Sequence, residues 1–214
     1  YDECEKAIKR QIRKRPKDIQ LYVTYGNIFE RQQKQEQADE QYELAIEKLF
    51  PSQGVITQLG NAFIRLTKYD YAIQVFEKGI ELLKGKVSFA YNLGDLYRRN
   101  GDKEKMIQYY LLSIDERPER LATIKSLFQR TLSPEEYDLL QVQLYQFIQE
   151  YPEQLAYSEM LQWMFIQKKD YKRALRQAKA LDRRLAENGV RVYNLGNVAS
   201  NAGNYPVAID AFQY

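Results

Sequence analysis

One spacing governs this chain: residues of like size recur every 34 positions along its 214 residues. Gly26, Gly60 and Gly94 stand 34 apart, and Gly196 lies three further periods on. An Ile column runs Ile12, Ile46, Ile80, Ile114, Ile148, and a Leu column runs Leu59, Leu93, Leu127, Leu161, Leu195 with Tyr25 in its first place. Small or apolar residues fill Cys4, Ala38, Ala72, Met106, Leu140, Ala174 and Ala208; Tyr recurs at Tyr1, Tyr69, Tyr137, Tyr171 and Tyr205, replaced at Gln35 and Lys103. A fixed period of this length is the mark of stacked repeats, each too small to bury its apolar face without a neighbour.

Each period reads as two amphipathic helices. In one unit Phe89, Leu93, Leu96 and Tyr97 recur at helical spacing, Asn100-Gly101 supplies a turn, and Met106, Ile107, Tyr110 and Ile114 form a second stripe before Pro118. Pro16 and Pro152 share the Pro118 column, and Pro51 lies one residue off it. The small residues of the Gly26 and Ala38 columns mark close approach of two helices, so a large side chain at Gly60 is expected to overpack by about 1–3 kcal/mol. Ser133-Pro134-Glu135-Glu136 is a capping box with Pro at the first helical position, which predicts a second helix that starts a few residues early and runs longer than its counterparts.

The pattern of Leu-Gly, an aromatic three residues later (Phe29, Phe63, Tyr97), then Ala, aromatic, small and Pro resembles the tetratricopeptide repeat. Asn92-Leu93-Gly94 and Asn194-Leu195-Gly196 carry the likeness, as do Ala72, Phe76, Gly79 and Ala38, Tyr42, Ala45. The resemblance implies an all-α, right-handed superhelical solenoid of antiparallel helix–turn–helix repeats. Its register gives a half-repeat at 1–18, full repeats at 19–52, 53–86, 87–120, 121–154 and 155–188, and a partial repeat at 189–214. Repeat 121–154 is degenerate, with Phe128 and Thr131 in place of Gly and an aromatic; the next has Gln162 in the Gly column. Both ends of the register fall within second helices, so the sequence reads as an excerpt of a longer array.

Composition excludes several function classes. With no His and Cys4 as the one Cys, a zinc site of the usual ligands is not expected, the commonest general base is missing, and no metal or cofactor is anticipated. A net charge of +3 over 32 basic and 29 acidic residues does not predict nucleic-acid binding. No stretch offers the roughly 18 apolar residues of a membrane span. The charged segment Tyr1 to Arg15 does not read as a signal peptide. Cytoplasm and bacterial periplasm fit equally. Gly79 to Lys86 only faintly suggests a phosphate loop: its spacing is one residue too long, and Val87 stands where Ser or Thr is needed.

The resemblance also implies a concave groove lined by the first helices. One groove column is Asn27, Asn61, Asp95, Gln129, Trp163 and Asn197; another is Val23, Thr57, Tyr91, Lys125, Glu159 and Tyr193, with Arg98 beside them. Amides can pair with a ligand backbone and aromatics offer rigid apolar area, although solvated helix faces would use the same positions. Arg31, Arg65 and Arg99 form a ladder that either grips carboxylates or offsets the dipole of three helix C-termini. Val23 and Thr57 occupy the place of the leading Lys of the family's carboxylate clamp, so that clamp is not expected. Trp163, Ile166 and Tyr193 form either an apolar anchor pocket or core. The eight basic residues from Lys168 to Arg184, like the Lys9 to Lys17 cluster, read as solvated faces.

These features point to a non-enzymatic scaffold whose partners are other proteins or peptides held in the groove. Two alternatives stand beside it. One is an architectural or self-associating spacer; the other is a substrate-selecting module of a larger protein whose enzyme domain lies outside this sequence. Fold alone does not choose among them.

Overall fold

The second helix of each pair begins on the Tyr column. In the computed structural model, which describes residues 2–214, α3 (Gln35–Glu47), α5 (Tyr69–Leu82), α7 (Lys103–Glu116), α11 (Tyr171–Leu185) and α13 (Tyr205–Phe212) all start there. α9 (Glu136–Glu150) starts one residue ahead of it. The first helices are α2 (Gln20–Arg31), α4 (Gln53–Arg65), α6 (Ala90–Asn100), α8 (Leu121–Thr131), α10 (Leu155–Gln167) and α12 (Val190–Asn201), and α1 (Asp2–Lys14) precedes them. The described residues contain no strand. The chain packs as two compact units, one up to Asp102 and one from Lys103. The Tyr1 place in the Tyr column lies outside the described residues.

Five of the six turns within helix pairs close in one way. The N–H groups of Lys34, Lys68, Asp102, Asp170 and Asn204 donate to the carbonyls of Phe29, Phe63, Tyr97, Phe165 and Ala199 at 2.8–3.0 Å, five residues back. This is the long bond of a Schellman cap, and it needs a left-handed residue just before the donor. That residue is Gly101 or Gly203 in two turns, but Gln33, Thr67 and Lys169 in the others, all with φ between +57° and +61°. The sixth turn differs. Glu135 stands in this column with φ −72°, Leu132 is extended, and the capping box forms instead. The Ser133 N–H donates to Glu136 Oε2 at 2.8 Å, and the Glu136 N–H donates to Ser133 Oγ at 3.4 Å. The gain is one residue rather than a few, and α9, at 15 residues, equals α11 rather than exceeding it.

In the first unit Gly26 and Gly60 of the periodic column each lie under an aromatic ring from the facing helix. A Cβ on Gly26 would come within 2.4 Å of the Tyr42 ring, and one on Gly60 within 2.6 Å of Phe76. Around them Tyr42, Phe63 and Tyr71 form a cluster with centroids 5.2–5.5 Å apart. The buried Tyr42 hydroxyl donates to Glu30 at 2.8 Å and Tyr71 to Asp39 at 2.7 Å. Burial, with these carboxylates beside them, pushes both phenols well above the usual tyrosine range. Of the small column, Ala38 and Ala72 are fully buried, whereas Cys4 is exposed. The Ile column is buried at Ile46 and only half-buried at Ile12 and Ile80.

The second unit keeps the volume and changes its distribution. Gly196 again lies under a ring, with Phe212 2.6 Å from an added Cβ. Sixteen residues separate Gly from ring in these pairs; the same offset from Phe128 and Gln162 reaches Leu144 and Ala178, both fully buried. Where the first helix brings a larger residue, the second brings a smaller one. Such volume conservation is what close-packed interiors require.

Two substitutions test this account by chemical denaturation. Gly60→Leu drives a side chain into Phe76 and is expected to cost about 1–3 kcal/mol. Thr67→Gly removes a β-branched residue from the left-handed region and is expected to gain about 1 kcal/mol.

Candidate functional site

The faces presented by the first helices carry the polar columns, and each unit builds its own arrangement. In the first unit Asn61 is exposed, Asn27, Tyr91 and Asp95 are half-buried, and Val23 is buried among core residues. Val23 therefore leaves the groove column and joins the core. Gln20 Nε2 donates to Gln58 Oε1 at 3.5 Å, linking α2 to α4 along this face.

Asp95 organises the end of α6. Arg98 donates to its Oδ1 through Nη2 at 2.6 Å and Nε at 3.1 Å, and Arg99 Nε donates to its Oδ2 at 2.8 Å. Burial alone would raise the Asp95 carboxyl, but the two guanidinium groups outweigh it and hold it below the usual carboxylate range. The Arg99 guanidinium also lies over the Tyr69 ring, 5.8 Å from its centroid. The arginine ladder is thus unequal. Arg31 and Arg65, in the last turns of α2 and α4, are exposed and make no ion pair among the described residues, while Arg99 is held by Asp95.

In the second unit the face of α8, α10 and α12 gathers charge. Arg191 donates to both oxygens of Glu187 at 2.7 Å, to Glu159 Oε1 at 3.0 Å and to Gln162 Oε1 at 3.4 Å. It bridges α12 to α10, and its bonds to Glu187 and Glu159 raise it further above its ordinary range. Lys125 on α8 is half-buried and makes no ion pair among the described residues. Burial lowers its ammonium and Arg191 adds to that effect, with only partial relief from Glu159. Beside this cluster an open cleft of about 370 Å³ is lined by Gln162, Ile166, Val190, Arg191, Asn194 and Val198, among others.

The structure separates the anticipated anchor trio. The half-buried Trp163 ring packs on Tyr137 at 6.1 Å, Tyr193 packs on Phe212 at 5.4 Å, and Ile166 lines the cleft. Gln129 and Asn197 are exposed on α8 and α12; Gln129 edges a second cleft of about 420 Å³ with Leu132, Pro134 and Tyr137. Sequence reading missed Arg191 and Glu187. The available signal was Gln162 in the Gly column, since a polar residue there supplies one of the Arg191 acceptors.

The depressed Asp95 carboxyl gives a pH test. Its stabilisation is present above the unfolded Asp value of about 3.9 and lost as pH falls through the lower folded value. Asp95→Asn is therefore expected to destabilise the chain at neutral pH. In urea titrations the gap to the unsubstituted chain should close as the pH is lowered past about 3.9.

Sequence comparison adds an independent line. The tetratricopeptide repeat family model matches residues 19–47, 54–82 and 87–120. No curated protein matches the chain. The matched segments coincide with the helix pairs whose Gly column, aromatic column and left-handed turns have been described. Helix pairs at a 34-residue spacing continue through the second unit. Across residues 19–120 the chain is built of tetratricopeptide repeats.

Proposed function

We propose that this chain is a scaffold that holds an extended peptide or a helical segment of partner proteins on the face of its first helices. Tetratricopeptide repeats are in general protein–protein interaction modules and typically non-enzymatic, and no helix among the described residues is long and apolar enough to cross a membrane. The observation that carries the finer reading is Lys125, a half-buried ammonium near Glu159 and Arg191 with no ion-pair partner among the described residues. A desolvated charge without a partner is costly, and a ligand carbonyl or carboxylate supplies what it lacks. Gln129, Trp163, Tyr193 and Asn197 extend this binding surface within the second unit; in the first unit Asn27, Asn61, Tyr91, Asp95 and Arg98 offer the corresponding face, with Arg31, Arg65 and Arg99 at its edge. The repeat division at 1–18, 19–52, 53–86, 87–120, 121–154, 155–188 and 189–214 belongs to the same reading.

A second reading, self-association as a spacer, is favoured by one observation. Val190, Tyr193, Tyr205, Ile209 and Phe212 leave an exposed apolar surface on α12 and α13, of the kind that covers another hairpin. Sedimentation across a wide concentration range separates the two readings, because a strict monomer rejects the spacer.

The scaffold reading predicts a clean separation of stability from binding. Asn61→Ala, Gln129→Ala and Asn197→Ala should each leave stability within about 0.5 kcal/mol. Lys125→Ala should weaken a bound partner by about 2 kcal/mol. Unchanged partner affinity in a chain carrying all four substitutions, measured by calorimetry, rejects the assignment.

A further inference from the structure

The outward face of α9 breaks the chemistry of its column. Val142 is 57% exposed, and the corresponding residues in the other repeats are Lys6, Glu40, Gln74, Gln108, Arg176 and Asp210, all polar. Leu139 and Tyr145, one turn to either side, are 42% and 46% exposed. From Leu139 to Gln149 the helix carries no charged residue at all. This exposed apolar stripe is not required by folding, because nothing among the described residues covers it.

The neighbouring second helix supplies the complement. Lys172, Arg176, Lys179 and Arg183 of α11 are one period on from Asp138, Val142, Tyr145 and Gln149 of α9, so the basic stripe shares the columns of Val142 and Tyr145. At helical spacing these four cations share one face. Lys179 is taken by Asp210 at 2.9 Å, whereas Lys172, Arg176 and Arg183 are exposed without an ion pair among the described residues. Arg173 bridges the stripes: it is held by Asp170, lies over the Phe165 ring, and its guanidinium interacts with the Tyr145 phenol.

We propose that this outer face of the second unit is a docking site for an acidic amphipathic helix of a partner protein. The apolar edge of that helix covers Leu139, Val142 and Tyr145, and its carboxylates meet Lys172, Arg176 and Arg183. The site is separate from the first-helix face and does not depend on it. Charge distribution selects a helix over a broad anionic surface. On the other flank of α9, the exposed charged residues of α7 are Glu104, Lys105, Asp115 and Glu116, a net negative set. A bilayer or a nucleic acid would meet those acids together with the cations of α11, whereas a single helix laid along α9 and α11 avoids them.

A fluorescent, stapled model peptide of about 15 residues tests this, the staple holding a helix that is marginal at that length. It carries Leu on one face and Glu along one flank. One control scrambles its order and another replaces Glu with Lys. Anisotropy with the intact chain should show the acidic helix binding at least about tenfold more tightly than either control. Added salt should weaken it. Val142→Glu and Arg176→Glu should each reduce affinity about tenfold, and Asn61→Ala should not change it. Both positions are exposed, so unaltered thermal unfolding of these variants separates lost binding from lost fold. Equal affinity for acidic and scrambled peptides overturns the proposal, as does binding indifferent to both substitutions. Vesicles of neutral lipid with added phosphatidylserine that bind the chain through Val142 and Arg176 would assign the face to a membrane instead. Concentration-dependent dimerisation abolished by Val142→Glu would assign it to a second copy, and either result overturns the helix.

Discussion

The close approach of two helices within a hairpin, with a small residue of one lying under a ring of the other at Gly26, Gly60 and Gly196, is the constraint on which the rest depends. With Gly26 beneath Tyr42 and Gly60 beneath Phe76, the helix axes sit too near for any side chain on the first helix. That proximity fixes where the turn must fall, and the turn in turn sets the phase at which the next pair begins. A periodic sequence follows because the same spatial problem is solved again in each pair. The left-handed residue before five of the six second helices belongs to this solution, even where Thr67 or Lys169 adopts it at a steric penalty.

Departures from the pattern compensate rather than fail. Repeat 121–154 gives up the Gly, the following aromatic and the left-handed turn together, and replaces them with Phe128, Thr131 and a proline-led capping box. A larger residue in the first helix is matched by Leu144 in the second; Gln162 is matched by Ala178. Gln162 also brings a polar atom within reach of Arg191. The packing change thus supplies one acceptor of the charged cluster on the first-helix face of the second unit.

How much of this was legible in the sequence depends on what fixes each column. Ala38, Ala72, Leu59 and Leu93 are determined by interior volume, which repeats with the fold, so periodicity alone located them. Surface columns have no such anchor. Val23 stands in a groove column by register yet is buried, since an apolar side chain on a half-covered helix turns to the core whenever it can reach it. Trp163 and Tyr193 share a face by register, but each ring found a nearer aromatic in Tyr137 and Phe212. Arg191 and Glu187 pair within one helical turn of each other, and reach α10 only through a geometry that no spacing rule encodes. The arginine ladder was visible as a column. Its inequality, with Arg99 held by Asp95 and Arg31 without a carboxylate, was not.

The position of the one tryptophan has a practical meaning. Trp163 lies on α10, half-buried against Tyr137, whereas the 18 tyrosines are spread along the whole chain. Indole emission therefore reports the second unit alone, while tyrosine emission reports both. A single unlabelled sample carries two optical channels, and any loss of order confined to the first unit would pass unseen in one and register in the other.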